Sequence, residues 1–89
     1  MRDKSKQFSR LIKFIRTNKG ISQLKISKAL GYSSGQFISN IERDIAALPV
    51  TRLKALAKAL DVDLKQLRKS YLESKLAKIK DKLAYGQKE

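Results

Sequence analysis

Apolar positions recur at helical spacing in five stretches of the chain. Phe8, Leu11, Ile12 and Ile15 fall at i, i+3, i+4 and i+7, which predicts a helix with one apolar face over about 5–18. Lys13, Arg16 and Lys19 lie off that face, and Gly20 suits the left-handed residue that closes a helix. Residues Met1–Gln7 are polar and charged and read as a frayed arm. Ser22 is a good N-cap, and Leu24, Ile26, Ala29 and Leu30 supply the apolar side of a short second helix over about 22–30. Gly31 stops it. After the turn Gly31 to Ser34, with Ser33 or Ser34 as cap, Phe37, Ile38 and Ile41 point a third helix inward over about 34–43.

Asp44 to Leu48 reads as a connector. Pro49 favours the first turn of a new helix, and Leu53, Leu56, Ala57 and Leu60 give a clean stripe, predicting helix four over about 49–60. Asp63 is the expected N-cap of helix five, where Leu64, Leu67 and Tyr71 continue the domain face. The periodicity then runs on through Leu72, Leu76, Ile79 and Leu83, spaced 4, 3 and 4, with Lys75, Lys78, Lys80 and Lys82 between them. No glycine or proline interrupts it before Gly86; unbroken, Leu64–Ala84 would span roughly 30 Å at ~1.5 Å per residue. Tyr71 belongs to the first phase of this line and Leu72 to the second. The drift suggests that one half packs on the domain and the other faces something else. The organisation expected is therefore an all-α domain over 1–71 and a helical extension with tail over 72–89, a possible dimerisation element.

Composition narrows the chemistry. The 89 residues hold no cysteine and no histidine, which removes disulfides, thiolate nucleophiles and the commonest metal ligand and general base. With eight scattered acidic residues remaining, no enzyme is expected, and no metal or cofactor. Against those eight stand 21 Lys and Arg, a formal charge of +13. Such a chain attracts polyanions: nucleic acid first, an anionic membrane surface second. Solubility alone needs far less charge. No apolar run approaches the ~20 residues of a membrane span, and the basic start lacks an apolar signal core, so a cytoplasmic, nucleoid-associated protein is expected.

The stretch from Ser22 to Arg43 has what a major-groove reader needs: two short helices joined by a tight turn. Ile26 and Leu30 can pack on Phe37, Ile38 and Ile41. That leaves Gly35, Gln36, Ser39, Asn40 and Arg43 on the outer side, with Gln36, Asn40 and Arg43 at i, i+4 and i+7. Asn and Gln pair bidentately with adenine, and Arg with guanine. An ordinary solvated helix surface is the alternative, weakened by the absence of the usual Glu and Lys on this face. For Arg43, a phosphate contact or a pair with Glu42 or Asp44 is an equal alternative.

Ser22, Gln23, Ile26, Leu30 and Gly31, followed by Ile38, Ser39, Asn40, Ile41, Glu42 and Arg43, resemble the Cro/repressor helix-turn-helix family, often called the XRE family. The resemblance covers about residues 8–71. It implies a five-helix bundle that binds operator DNA, typically as a dimer. It also implies that Gln23 anchors to a phosphate and that Ser34, Gly35, Gln36, Ser39 and Asn40 lie where bases are read. Of these, Ser34 is assigned with Gln23 and Lys25 to the phosphate backbone. Thr51, Arg52 and Lys54, at the start of helix four, are further backbone contacts by resemblance. Glu42 is implied to pair with Arg10 or Arg16. Two departures stand out. The spacing from Gly31 to Glu42 is one residue longer than usual, an insertion within Tyr32–Gly35. And Asp44 stands where the family often has glycine.

The basic stretch from Lys65 to Lys82 keeps three readings open: a solvated face, a dimerising helix using Leu72, Leu76, Ile79 and Leu83, or extra phosphate or membrane contacts. The function expected is a sequence-specific regulator, most simply a repressor on a palindromic operator, with double-stranded DNA and a second copy as partners. The competing readings are an antitoxin-type protein that places its last helix on a partner protein, and a nucleoid binder with little sequence choice. RNA is less favoured, since the aromatic strand motifs and GXXG loop of common RNA modules are absent.

Overall fold

The computed structural model describes Lys4–Gly86, with side chains through Ala84, and among these residues it is all-helical. A 3-10 turn at Lys4–Lys6 leads into α1 (Gln7–Asn18), followed by α2 (Gln23–Ala29) and α3 (Gln36–Glu42). A second 3-10 turn at Val50–Arg52 leads into α4 (Leu53–Leu60), and α5 runs unbroken over Leu64–Gly86. Five α-helices without a strand match the fold class expected. The arm differs from expectation. Only Met1–Asp3 and the last three residues, 87–89, lie outside the described part. Ser5 is buried, and the Lys4 carbonyl accepts a hydrogen bond from Ser74 Oγ at 2.8 Å.

The helix ends follow local chemistry. Ser22 Oγ accepts from the Lys25 amide at 3.0 Å, and Asp63 Oδ1 accepts from the Lys65 amide at 3.1 Å. Gly20 and Gly31 take positive φ, +68° and +93°, at the ends of α1 and α2, conformations glycine adopts without a Cβ clash. Asp61 and Asp44 do so without being glycine, at φ 57° and 59°. Lys19 Nζ reaches the carbonyls of Leu60 and Asp61 at 2.7 and 2.8 Å, placing a cation at the negative end of α4. Pro49 is extended and precedes the 3-10 turn, so α4 begins four residues later than the sequence predicts.

Ile12, Ile26, Leu30, Ile38, Ile41, Leu48, Leu56, Leu60 and Leu67 form a buried centre, with Phe8 and Tyr71 in edge-to-face contact at 5.2 Å. Two apolar positions expected inside, Leu24 and Ala29, are exposed, while Phe37 is half-buried against the core and stacks on Tyr32 with ring centroids 3.7 Å apart. The place between α2 and α3 goes instead to Ser27, fully buried, whose Oγ accepts from the Ile38 amide. Its small size lets the two helices approach closely.

Helix α5 carries two opposite faces. Leu67, Ser70, Tyr71 and Ser74 are buried, while Leu72, Leu76, Ile79 and Leu83 are 50–62% exposed. The inward contacts continue past Tyr71: Ser74 Oγ accepts from the Phe8 amide at 2.8 Å, and Lys78 bonds both Asp44 and the Ser5 carbonyl.

Candidate nucleic-acid interface

Helix α3 is held by a lock of three helices. Glu42, whose side chain is 3% exposed, accepts two bonds from the Arg16 guanidinium of α1, one of them at 3.0 Å, and a third from Gln23 Nε2 of α2 at 3.0 Å. Arg16 also donates to the Ile21 carbonyl at 2.8 Å. Of the two arginines expected as partners for Glu42, Arg16 makes the pair and Arg10 is exposed. The hydrogen bond and charge of Glu42 raise the Arg16 pKa further above its ordinary range, outweighing the opposing effect of burial. A carboxylate satisfied by three donors from two other helices fixes the angle of α3 against them.

The outer side of α3 is polar and connected. Gln36 Nε2 donates to Asn40 Oδ1 at 2.8 Å, and Arg43 donates to the same oxygen at 3.1 Å. The three residues at i, i+4 and i+7 thus form one ladder, with Gln36 and Arg43 exposed and Asn40 and Ser39 half-buried. Each end of the ladder keeps further donors for an incoming ligand.

The residues expected at phosphates come from α2, the turn before α3 and the start of α4. Ser34 is exposed and its Oγ accepts from the Gln36 amide at 3.3 Å. Lys25 is exposed in the first turn of α2. Gln23 spends one amide hydrogen on Glu42 and retains a second. Thr51, Arg52 and Lys54 are exposed at the start of α4. The Arg52 guanidinium sits 5.5 Å from the Tyr32 ring centroid, and Tyr32 in turn stacks on Phe37. This stack joins the start of α4 to the turn before α3, and it makes use of the inserted segment. Sequence reasoning missed it, although an aromatic at Tyr32 beside Phe37 and a distant Arg was its signal.

Gly35 departs from its expected place on the outer side. It precedes α3 and presses on α2; an added Cβ would stand 3.2 Å from the Leu24 amide nitrogen. Its lack of a side chain serves that close approach. Leu72, Leu76, Ile79 and Leu83 lie on α5, outside this interface. Among the described residues no acidic, histidine or cysteine cluster could hold a metal ion, and no helix is long and apolar enough to cross a membrane.

A family model described as Helix-turn-helix matches residues 12–67, more than half of the chain. The chain belongs to that helix-turn-helix family, of the XRE type. It is a DNA-binding transcription regulator, and double-stranded DNA is the ligand of its family. A comparison with curated proteins returns no match. The helix-turn-helix unit proper is α2, the turn and α3, and the Glu42 lock lies wholly within the matched region. Most of α5 lies beyond it.

Proposed function

We propose that this helix-turn-helix protein is a sequence-specific repressor that binds a palindromic operator as a dimer, with α3 in the major groove. The observation that carries the reading is the Gln36–Asn40–Arg43 ladder, exposed on a helix whose angle is locked through Glu42. Gln36 and Asn40 suit adenine and Arg43 suits guanine, with Ser39 beside them. Gln23, Ser34, Lys25, Thr51, Arg52 and Lys54 hold the phosphates, supplying affinity more than choice. The formal charge of +13 fits a large salt-sensitive term. In this reading the unit over 1–71 meets DNA in the nucleoid and the extension over 72–89 assembles the dimer. The 4, 3, 4 spacing of Leu72, Leu76, Ile79 and Leu83 is the same in either direction, so two antiparallel copies of α5 place like layers together.

Selection of bound sequences from random duplex DNA tests the reading. The expected result is an inverted repeat whose half-sites lie about one helical turn, near 34 Å, apart. Recovery of unenriched DNA would sink it in favour of a nucleoid binder. The exposed α5 stripe favours one other reading, an antitoxin-type protein whose last helix lies in a partner's groove. Co-purification of a second protein, with α5 protected from proteolysis, would support that alternative.

A further inference from the structure

Asp44 follows the recognition helix in a left-handed conformation, φ 59°, that few non-glycine residues adopt. Aspartate is tolerated there, but its carboxylate is also the junction of three segments. Lys78 Nζ of α5 lies 3.0 and 3.1 Å from its two oxygens, and Ser9 Oγ of α1 donates to Oδ1 at 3.2 Å. Lys78 also donates to the Ser5 carbonyl. The backbone amides of Asp44 and of the two residues after it close the end of α3. The Asp44 amide bonds the Ile41 carbonyl, and the Ile45 and Ala46 amides both bond the Asn40 carbonyl at 2.9 and 3.2 Å. Asn40 is the centre of the polar ladder.

Helix α5 packs mainly on the first 3-10 turn, α1 and α4, and this ion pair ties it directly to the residue that follows the recognition helix. Lys78 lies eleven residues beyond the matched family region, which ends at 67. It occupies the same two turns as Leu76 and Ile79 but points the opposite way, toward the domain.

We propose that Lys78 and Asp44 are a positioning pair for DNA reading: the extension clamps the C-terminal end of α3 and sets how Asn40 and Arg43 present themselves to bases. Lys78 takes part in sequence choice without touching DNA. This rests on the reading of α3 as the base-reading helix. The pair is partly exposed, with side chains at 41% and 22%, so its effect on global stability is small while its effect on the orientation of α3 is direct.

Lys78→Met removes the charge and keeps the stem; Asp44→Asn removes the charge and keeps a residue that visits the left-handed region. Each full-length variant is compared with the parent for selected operator against random DNA at fixed salt, and for amide exchange. The ratio of operator to random affinity is expected to fall about tenfold in both variants, with the melting temperature nearly unchanged. Lys78→Arg should restore it, and exchange at the Ile45 and Ala46 amides should rise in the two charge-removing variants. An unchanged ratio, or a loss that merely follows unfolding, overturns the proposal. If the parent chain itself shows no operator preference, the base-reading role of α3 fails. The exchange measurement, which needs no DNA, then decides the clamp alone: unchanged Ile45 and Ala46 amides reject it.

Discussion

Helices α3 and α5 solve opposite problems. α3 has seven residues, too few to be stable alone, and everything about it is imposed from outside. Ile38 and Ile41 are sunk in the core, Glu42 is held by α1 and α2, and Asp44 is held by α5. Helix α5 has 23 residues and is held along one side only, with a second apolar row open to solvent. The difference teaches how to read an apolar residue on a helix. On α3 the apolar positions share one phase and mean core. On α5 they occupy two opposed phases, and only the phase that matches Leu67 and Tyr71 is core. Polar residues follow the same logic in reverse: Gln36 and Asn40 of α3 bond one another on the outer side, while Ser70 and Ser74 of α5 are buried and serve α1 and the N-terminal turn.

The contrast can be broken by substitution. The largest effect is expected at the lock: Glu42→Ala takes the acceptor from a part-buried guanidinium and from Gln23 and should cost about 3 kcal/mol in chemical denaturation. Ile38→Ala, opening a void under α3, should cost about 2–5 kcal/mol by the same measurement. Loss of less than ~1 kcal/mol in either would mean α3 is not fixed from below. The next effect is on DNA. Asn40→Ala should cost ~1–3 kcal/mol on the selected operator and little on random DNA in a competition titration. Equal loss on both would show that the ladder does not read bases. Lys54→Ala should weaken every duplex alike and reduce the slope of affinity against salt by about one phosphate contact.

The smallest effect on folding is expected from the outer row of α5. Leu76→Lys with Ile79→Lys should leave unfolding within about 0.5 kcal/mol of the parent while abolishing dimers in sedimentation. A dimer that survives would move the assembly surface off α5. A stability loss as large as that at Ile38 would erase the distinction between the two faces. The lock also makes a pH statement. Because Glu42 raises the Arg16 pKa, its contribution is fully present below arginine's ordinary range and is lost only as pH rises through the higher folded value. Unfolding titrations over neutral and mildly alkaline pH should show no transition from this pair.

Much of the fold was legible because it is local. Helical spacing, Ser22, Gly20, Gly31 and Asp63 act within a turn of themselves, and four of the five helices start and stop within a residue or two of the pattern. The start of α4 was misread because Pro49 opened a 3-10 turn rather than the helix itself. The outward placement of Gln36, Asn40 and Arg43 was legible for the same reason, being a matter of helical phase. Leu24 was misread because hydrophobicity and helical phase alone do not say how far round a short helix the core extends. Gly35 was misread because its role is the distance between two helices, which no single helix records.

The sequence by itself determined the helices, the charge that seeks a polyanion and the polar face of α3, since each depends on residues a few positions apart. Only the tertiary structure decided that Arg16, rather than Arg10, meets Glu42 across 26 positions, and that Lys78 meets Asp44 across 34. Such pairs depend on how whole helices dock, and their partners are chosen by burial and reach rather than by spacing along the chain.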